Sequence, residues 1–238
     1  EPPFLTEAVA PNILLLMDNS GSMDSSAYHN ANEAYNPAKA YYGYFDPTLC
    51  YSYGSSRFQI GTPRAATAPT CGAAYPWDGN FLNYMTMSRM EVAKWVMMGG
   101  KCSPRAVNGT CYPGGKLNLE TTDRFTALTA DATGVTSYTG TRCFDRSGSN
   151  FIVYGGAACS GGSTSHSLVV DIASEPTGVI QQVGDKARFG LMEFKGAGDG
   201  GKVLADVGSG LTPMVNAIQN TPASTWTPLG ESLYEATR

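Results

Sequence analysis

Charge is the scarcest feature of this sequence. Only 15% of its 238 residues are Asp, Glu, Lys or Arg, and the balance is −4. No basic run occurs and no basic residues interleave with aromatics, which excludes a nucleic-acid partner of the usual electrostatic kind. Histidine is nearly missing too, with His29 and His166 alone, and no G-x-S-x-G is present. No Ser-His-Asp set is suggested, so the chain reads as a non-enzyme. No C-x-x-C pair occurs, and two histidines are too few to complete a zinc site. No apolar run approaches the roughly 20 residues of a membrane helix, so no transmembrane segment is expected. The start, Glu1-Pro2-Pro3, lacks an initiator Met and a signal-peptide pattern and reads as a processed or trimmed end.

What is present is 42% hydrophobic residues, enough for a core, with a surface rich in Gly, Ser, Thr, Asn and Tyr, as is common in extracellular proteins. Six cysteines, Cys50, Cys71, Cys102, Cys111, Cys143 and Cys159, fall in the least regular segments. An even number without metal spacing predicts disulfides made in an oxidising compartment. Fifteen pairings are open to six cysteines. Sequential pairing, Cys50–Cys71, Cys102–Cys111 and Cys143–Cys159, is the simplest, because each bond then closes one local excursion. Each would contribute about 2–4 kcal/mol.

The strongest organising signal is residues 12–23, N-I-L-L-L-M-D-N-S-G-S-M. Five large apolar residues, Ile13 to Met17, lead into Asp18, Ser20, Gly21 and Ser22. A short unbroken apolar run ended by turn residues predicts a buried strand at the centre of a parallel sheet. Polar residues at the carboxyl end of such a strand sit where open α/β sheets bind ligands. One carboxylate and two hydroxyls in a tight turn form a hard-oxygen set suited to Mg²⁺, Ca²⁺ or Mn²⁺. The plainer alternative is a strand-end turn whose Asp and Ser cap the next helix. A phosphatase-type D-x-D-x-T loop with a nucleophilic Asp is a poor match, because Ser20 stands where its second acid belongs.

Residues 24–79 break this rhythm. They carry Tyr28, Tyr35, Tyr41, Tyr42, Tyr44, Tyr51, Tyr53 and Tyr75 and show no lasting period. That is too long for an ordinary connection and predicts an insertion. Its tyrosines read equally as binding-loop residues and as the insertion's own small core. Phe81, Met85, Ser88, Val92 and Val96 share one stripe and predict a single helix stopped at Gly99-Gly100. Its methionines, 85, 87, 90, 97 and 98, are expected to fill core. A second insertion spans 102–165, with an N-x-T acceptor at Asn108, hairpin pieces near 125–128, 135–138 and 151–154, and a small-residue loop over 155–165. Asp123, Asp131 and Asp145 are scattered within it and read as surface. Regular elements then return: a strand at 168–172, a short helix at 176–184, strands at Arg188–Phe194 and 202–207, and a helix over Leu211–Asn220. The sequence ends with T-W-T-P-L-G-E-S-L-Y-E-A and two further residues.

Residues 18–22 resemble D-x-S-x-S, the first loop of the metal-ion-dependent adhesion site of von Willebrand factor A domains. Thr227, in T-P-L-G-E-S-L, resembles the Thr of their second loop. Thr225 is the less favoured candidate for that role, and a helix cap is the alternative for Thr227. Three stretches carry the resemblance further: F-L-N-Y-M-T-M-S-R-M-E-V-A-K at 81–94, P-T-G-V-I-Q-Q-V-G-D-K-A-R-F-G-L-M-E-F at 176–194 and T-P-L-G-E-S-L-Y-E-A at 227–236. Together they make the chain similar to the N-terminal von Willebrand A region of the type IV pilus tip adhesin and pilus-biogenesis family.

That resemblance implies an α/β fold. It would be a von Willebrand A-like, Rossmann-type sheet flanked by helices, one domain over 1–238 with disulfide-bearing insertions at about 24–79 and 102–165. It implies a divalent cation, Mg²⁺, Ca²⁺ or Mn²⁺, at Asp18, Ser20, Ser22 and Thr227, held weakly because one carboxylate replaces the usual two. It also implies export through the periplasm to the pilus tip at the cell surface. Minor pilins or other tip proteins are the implied partners, with a host or abiotic surface as ligand. The family's third loop, an Asp after a later hydrophobic strand, is not found before Arg238. The C-terminal part of the domain is therefore expected to come from the rest of its chain or from another chain, since a bare sheet edge is costly. A structural tip subunit without metal binding is the alternative function.

Overall fold

The apolar run predicted as a strand is one. In the computed structural model, which describes residues 9–29, 34–67, 69–106, 109–112, 114–122 and 124–238, it forms β1, Asn12–Met17. The strands that follow are β2 (Leu49–Gly54), β3 (Arg57–Pro63), β4 (Trp77–Asp78), β5 (Cys102–Ser103), β6 (Lys116–Asn118), β7 (Leu128–Asp131), β8 (Thr141–Ser147), β9 (Asn150–Tyr154), β10 (Ser163–Ser167), β11 (Val169–Asp171), β12 (Arg188–Phe194) and β13 (Gly201–Ala205). The helices are α1 (Gly79–Thr86), α2 (Arg89–Met98), α3 (Val179–Val183), α4 (Leu211–Asn220) and α5 (Leu229–Ala236). The fold is mixed α/β with sheets in the orders β1-β12-β13, β10-β9-β8-β7 and β4-β2-β3-β11-β6-β5.

β1 runs parallel to β12, in register from Asn12 opposite Arg188 to Met17 opposite Glu193. β13 closes the far side of β12 as an antiparallel partner. β1 is thus an outer strand of its sheet, and Ile13 to Leu16 are only half-buried. The three disulfides pair sequentially, Cys50–Cys71, Cys102–Cys111 and Cys143–Cys159. Asn108, Asp123 and the segment 1–8 lie outside the described residues.

The two tyrosine- and glycine-rich stretches do not stay apart. With α1 between them and β11 after them they supply the six-stranded sheet, the four-stranded meander and one aromatic core. Tyr41, Tyr44 and Tyr51 are buried there with Phe45, Phe58, Trp77, Phe81, Tyr84, Phe144 and Phe151, so these tyrosines are packing residues, whereas Tyr42 remains exposed. Strands β2 and β3 escape a sequence reading because their tight turn is Ser55-Ser56, both left-handed at φ 52° and 57°, where Asn-Gly would have signalled a hairpin. β10, S-T-S-H-S, lacks the apolar alternation that marks a strand, so the loop expected over 155–165 is shorter. The piece near 135–138 forms turns and no strand.

The single helix predicted over 80–98 is two. Asp78 caps α1 through the backbone N–H groups of Asn80 and Phe81. At Met87–Ser88 the chain is extended, and Ser88 starts α2 in a capping box with Glu91. That S-x-x-E signature is present in the sequence and outweighs the continuous stripe. α2 ends at Gly99 in the left-handed region (φ 78°), where a Cβ would lie 2.5 Å from the Pro176 carbonyl carbon. Gly178 likewise lets the chain pass α2: a Cβ there would come within 2.3 Å of Met97 backbone.

α2 serves two cores. Val92 and Trp95 pack on the aromatic core, while Met90 and Met98 enter a second cluster with Met17, Ile180, Leu191, Met214, Val215 and Ile218. Between them runs a buried charge network. Arg146 and Glu91, both fully buried as side chains, form a two-point pair at 2.7 and 2.8 Å. Arg146 also donates to the carbonyls of Thr86 and Glu120 and lies over the Phe125 ring. Glu91 accepts the backbone N–H of Ser88 and of Glu120. Lys94, also buried, donates to Glu120 at 2.7 Å and to the Gln219 carbonyl at 3.0 Å, and burial lowers its pKa.

Two expectations follow from this interior. Arg146→Met strands the Glu91 charge and should cost about 3–5 kcal/mol in urea denaturation, with Glu91→Gln in the same chain restoring part of it. His29, packed against Tyr84 and Phe125, is held neutral by burial, with its pKa lowered to about 4, and burial lowers that of His166 as well. The unfolded chain takes up these protons below about pH 6.5, so stability should fall as pH drops from there toward 4. The slope should approach about 1.4 kcal/mol per pH unit for His29, with His166 adding in the same direction. Denaturation midpoints at neutral and mildly acid pH check this, and His29→Phe should flatten the dependence.

Candidate functional site

β1 delivers its polar residues to the carboxyl end of the sheet, and local hydrogen bonds fold them into one turn. Asp18 Oδ1 accepts the Ser20 N–H at 2.8 Å, and Met23 N–H bonds back to the Ser20 carbonyl. The Ser20 and Ser22 hydroxyl oxygens come to 3.1 Å of each other. Two neighbouring ligands of an octahedral Mg²⁺ at 2.0–2.1 Å would be about 3 Å apart. On donor chemistry and spacing these three residues therefore fit a hard cation. Ser20 is buried, Asp18 half-buried and Ser22 exposed.

The residue between them, Asn19, is the one that sequence reasoning passed over. It is 1% exposed and locks three segments together. Its Oδ1 accepts the Phe194 N–H at 3.0 Å and the Thr225 hydroxyl at 3.1 Å, while its Nδ2 donates to the Phe194 carbonyl at 3.2 Å. Its carbonyl accepts the N–H groups of Ser224 and Thr225, and Gly21 N–H donates to the Thr225 carbonyl. The segment before α5 is thereby docked on the first loop as a short parallel bridge, Ser20 to Thr225. An apolar strand followed by Asp-Asn was the available clue, but only the fold shows that the Asn faces inward.

Of the predicted site residues, the structure brings Asp18, Ser20 and Ser22 into one turn and bonds Thr225 to it. Thr227 lies two residues further on, exposed, with its carbonyl accepting the Leu229 N–H at 2.9 Å. No hydrogen bond joins its hydroxyl to the first loop among the described residues. Nor does it cap α5, whose N-cap is Pro228. A second carboxylate unmarked by the sequence, Glu193, stands opposite Met17 in the register; it is buried, and its Oε2 is without a partner among the described residues. No group of three His, Cys, Asp or Glu suited to a metal ion occurs among the described residues, so any cation here would rest mainly on hydroxyl oxygens.

Fold and site define a disulfide-stapled α/β protein whose distinctive surface is a loop clasped at one strand end. The chain belongs to the PilY1-homologue family: the family described as PilY1 homolog, small alpha/beta domain, matches residues 32–171, more than half of the chain. It is also 32% identical over 98 residues to a type IV pilus biogenesis factor PilY1 homolog of Xylella fastidiosa, an alignment covering 37% of this chain and 6% of that protein. The chain thus spans a small part of the length of the curated relative it matches. No solved structure matches it.

The family match covers α1, α2 and nearly all of the aromatic core but leaves the clasp outside it. Asn19→Ala is expected to free the clasp. Amide hydrogen exchange at Phe194 and Thr225 should quicken, and stability should fall by about 1–3 kcal/mol as buried backbone groups lose partners.

Proposed function

We propose that the chain is an adhesion or assembly module of the type IV pilus, a binding protein and not an enzyme. Family membership supports the link to pilus biogenesis, and the family and three disulfides fit an extracellular or periplasmic location. A place at the pilus tip, with minor pilins as partners, is the finer form of the same proposal. Among the described residues no helix is long and apolar enough to cross a membrane.

The observation that carries the reading is the turn itself. Asp18, Ser20 and Ser22 gather hard oxygens at the carboxyl end of β1, and the Asn19 clasp holds that turn against β12 and the approach to α5. On this reading β1, β12 and β13 with α4 and α5 form the von Willebrand A-like part, and the small α/β body is set into it. A divalent cation, Mg²⁺, Mn²⁺ or Ca²⁺, would be held by Asp18, Ser20 and Ser22, with Thr227 as the further oxygen; bound there, it supplies an open coordination position for a partner carboxylate. One carboxylate among these ligands makes the expected affinity low. The edge of β1, unpaired by any strand among the described residues, supports completion of its sheet by strands from elsewhere in the polypeptide or from another chain.

A second reading, a structural tip subunit that docks without metal, is favoured by the exposed position of Thr227 and by two arginines at the turn, Arg89 on the Ser22 carbonyl and Arg124 against Gly21. Calorimetric titration with Mg²⁺ and Mn²⁺ separates the two. The metal reading expects weak binding heats that vanish in Asp18→Ala, and equal heats in both proteins would remove the site.

A further inference from the structure

Two cations border the Ser20–Ser22 loop and an exposed aromatic residue follows the segment bridged to it, and the metal reading uses none of them. Arg89, the first residue of α2, is exposed, and its Nη1 donates to the Ser22 carbonyl at 3.4 Å. Arg124 is exposed too, and its guanidinium packs so closely on the loop that a Cβ at Gly21 would lie 2.9 Å from its Nη2. The Arg124 N–H is pinned by the Thr122 hydroxyl, which itself donates to the Asp24 carbonyl at 3.0 Å. The two guanidiniums thus reach the same turn from different segments.

Neither has a carboxylate at ion-pair distance among the described residues, although acids outnumber bases 20 to 16 in the chain. The Ser20–Thr225 bridge carries Trp226 to the same place, and Trp226 is 87% exposed. Arg and Trp are the residue types most concentrated at the energetic centres of protein interfaces. Guanidiniums lacking a carboxylate partner present forks shaped for one. The exposed indole next to the Ser20–Thr225 bridge adds an apolar face for which a phosphate alone has no use.

We infer that Arg89, Arg124 and Trp226 form a protein-docking surface for a partner segment that sets an Asp or Glu beside a large apolar residue. The carboxylate takes its hydrogen bonds from the two guanidiniums, and the apolar neighbour covers the indole. This names the partner chemistry of the assembly reading and rests on it, but the positive charge comes from the chain itself and needs no bound cation.

The test titrates the intact protein, in EDTA at low salt, with a fluorescein-labelled peptide of sequence Glu-Leu-Asp-Phe-Glu-Leu and with its Gln/Asn counterpart. The acidic peptide should bind and the amide peptide should bind about tenfold or more weakly, with added salt eroding the difference. Arg89→Gln with Arg124→Gln, and separately Trp226→Ala, should each weaken the acidic peptide about tenfold with unchanged thermal melts, while Arg124→Lys should keep part of the affinity. Absence of binding to the unaltered protein, equal binding by the variants, or binding that requires Mg²⁺ and fails only in Asp18→Ala would overturn the inference. Binding of phosphatidylglycerol vesicles in place of the peptide would also overturn it, giving the surface to a membrane. The Mg²⁺ heats of the preceding titration report the cation site independently, so failure of either reading is visible without the other.

Discussion

The Arg146–Glu91 pair is the constraint around which the interior is arranged. Two full charges sit beyond the reach of water, a state that is tolerable only when every lone pair and N–H has a partner. Here nearly every such demand is met by backbone. Glu91 takes the N–H groups of Ser88 and Glu120, and Arg146 gives hydrogen bonds to the carbonyls of Thr86 and Glu120. The pair therefore fixes three separate pieces of chain at once: the break between α1 and α2, the strand β8, and the irregular run at 120. It also explains why the helix breaks where it does. A straight helix through Met87 would satisfy the Ser88 N–H internally and remove a donor that the buried Glu91 carboxylate requires.

That break aims α2 along the boundary between the aromatic core and the methionine-rich cluster. Lys94 then carries the polar network across the boundary to Gln219, and Arg105 and the Cys102 N–H meet the same residue through its side-chain oxygen. The small α/β body and the β1-β12-β13 layer are thus joined by hydrogen-bonded charge as well as by apolar contact. Such a joint holds one orientation, because a slide of α2 by a turn would leave several buried polar groups unpaired at once. The loop after β1 benefits from the same rigidity, since Arg89 at the start of α2 reaches its Ser22 carbonyl.

What could be read from the sequence followed the strength of local signals. β1, β12 and α4 emerge from unbroken apolar or amphipathic runs, and α4 falls at Leu211–Asn220 as its pattern requires. The first loop was legible because Asp18, Ser20 and Ser22 are three residues of one turn, so their meeting needs no tertiary information. The six-stranded sheet was not legible. Its strands are short, one hairpin turns on two left-handed serines, and β11 joins β3 across more than a hundred residues of intervening chain and β6 across about fifty. Asn19, Glu193, Arg89 and Arg124 were passed over for a related reason: their importance lies in who faces them, and no period in the sequence reports that.

The scarcity of charge gives these neighbours their meaning. With so few ionisable groups, seven of the sixteen cations pair with carboxylates among the described residues: Arg57 and Lys116 with Asp171, Arg64 with Asp78, Lys94 and Lys101 with Glu120, Arg146 with Glu91 and Lys195 with Glu235. Against that background two guanidiniums left beside one loop are more informative than they would be on a heavily charged surface, where unpaired side chains are ordinary. Their field also bears on the turn they border. Positive charge within a few ångströms opposes a divalent cation on a single carboxylate and favours an incoming anion. On the reading proposed above, the same positive charge would weaken the Asp18 turn as a metal holder and favour its border as a receiver of acid groups.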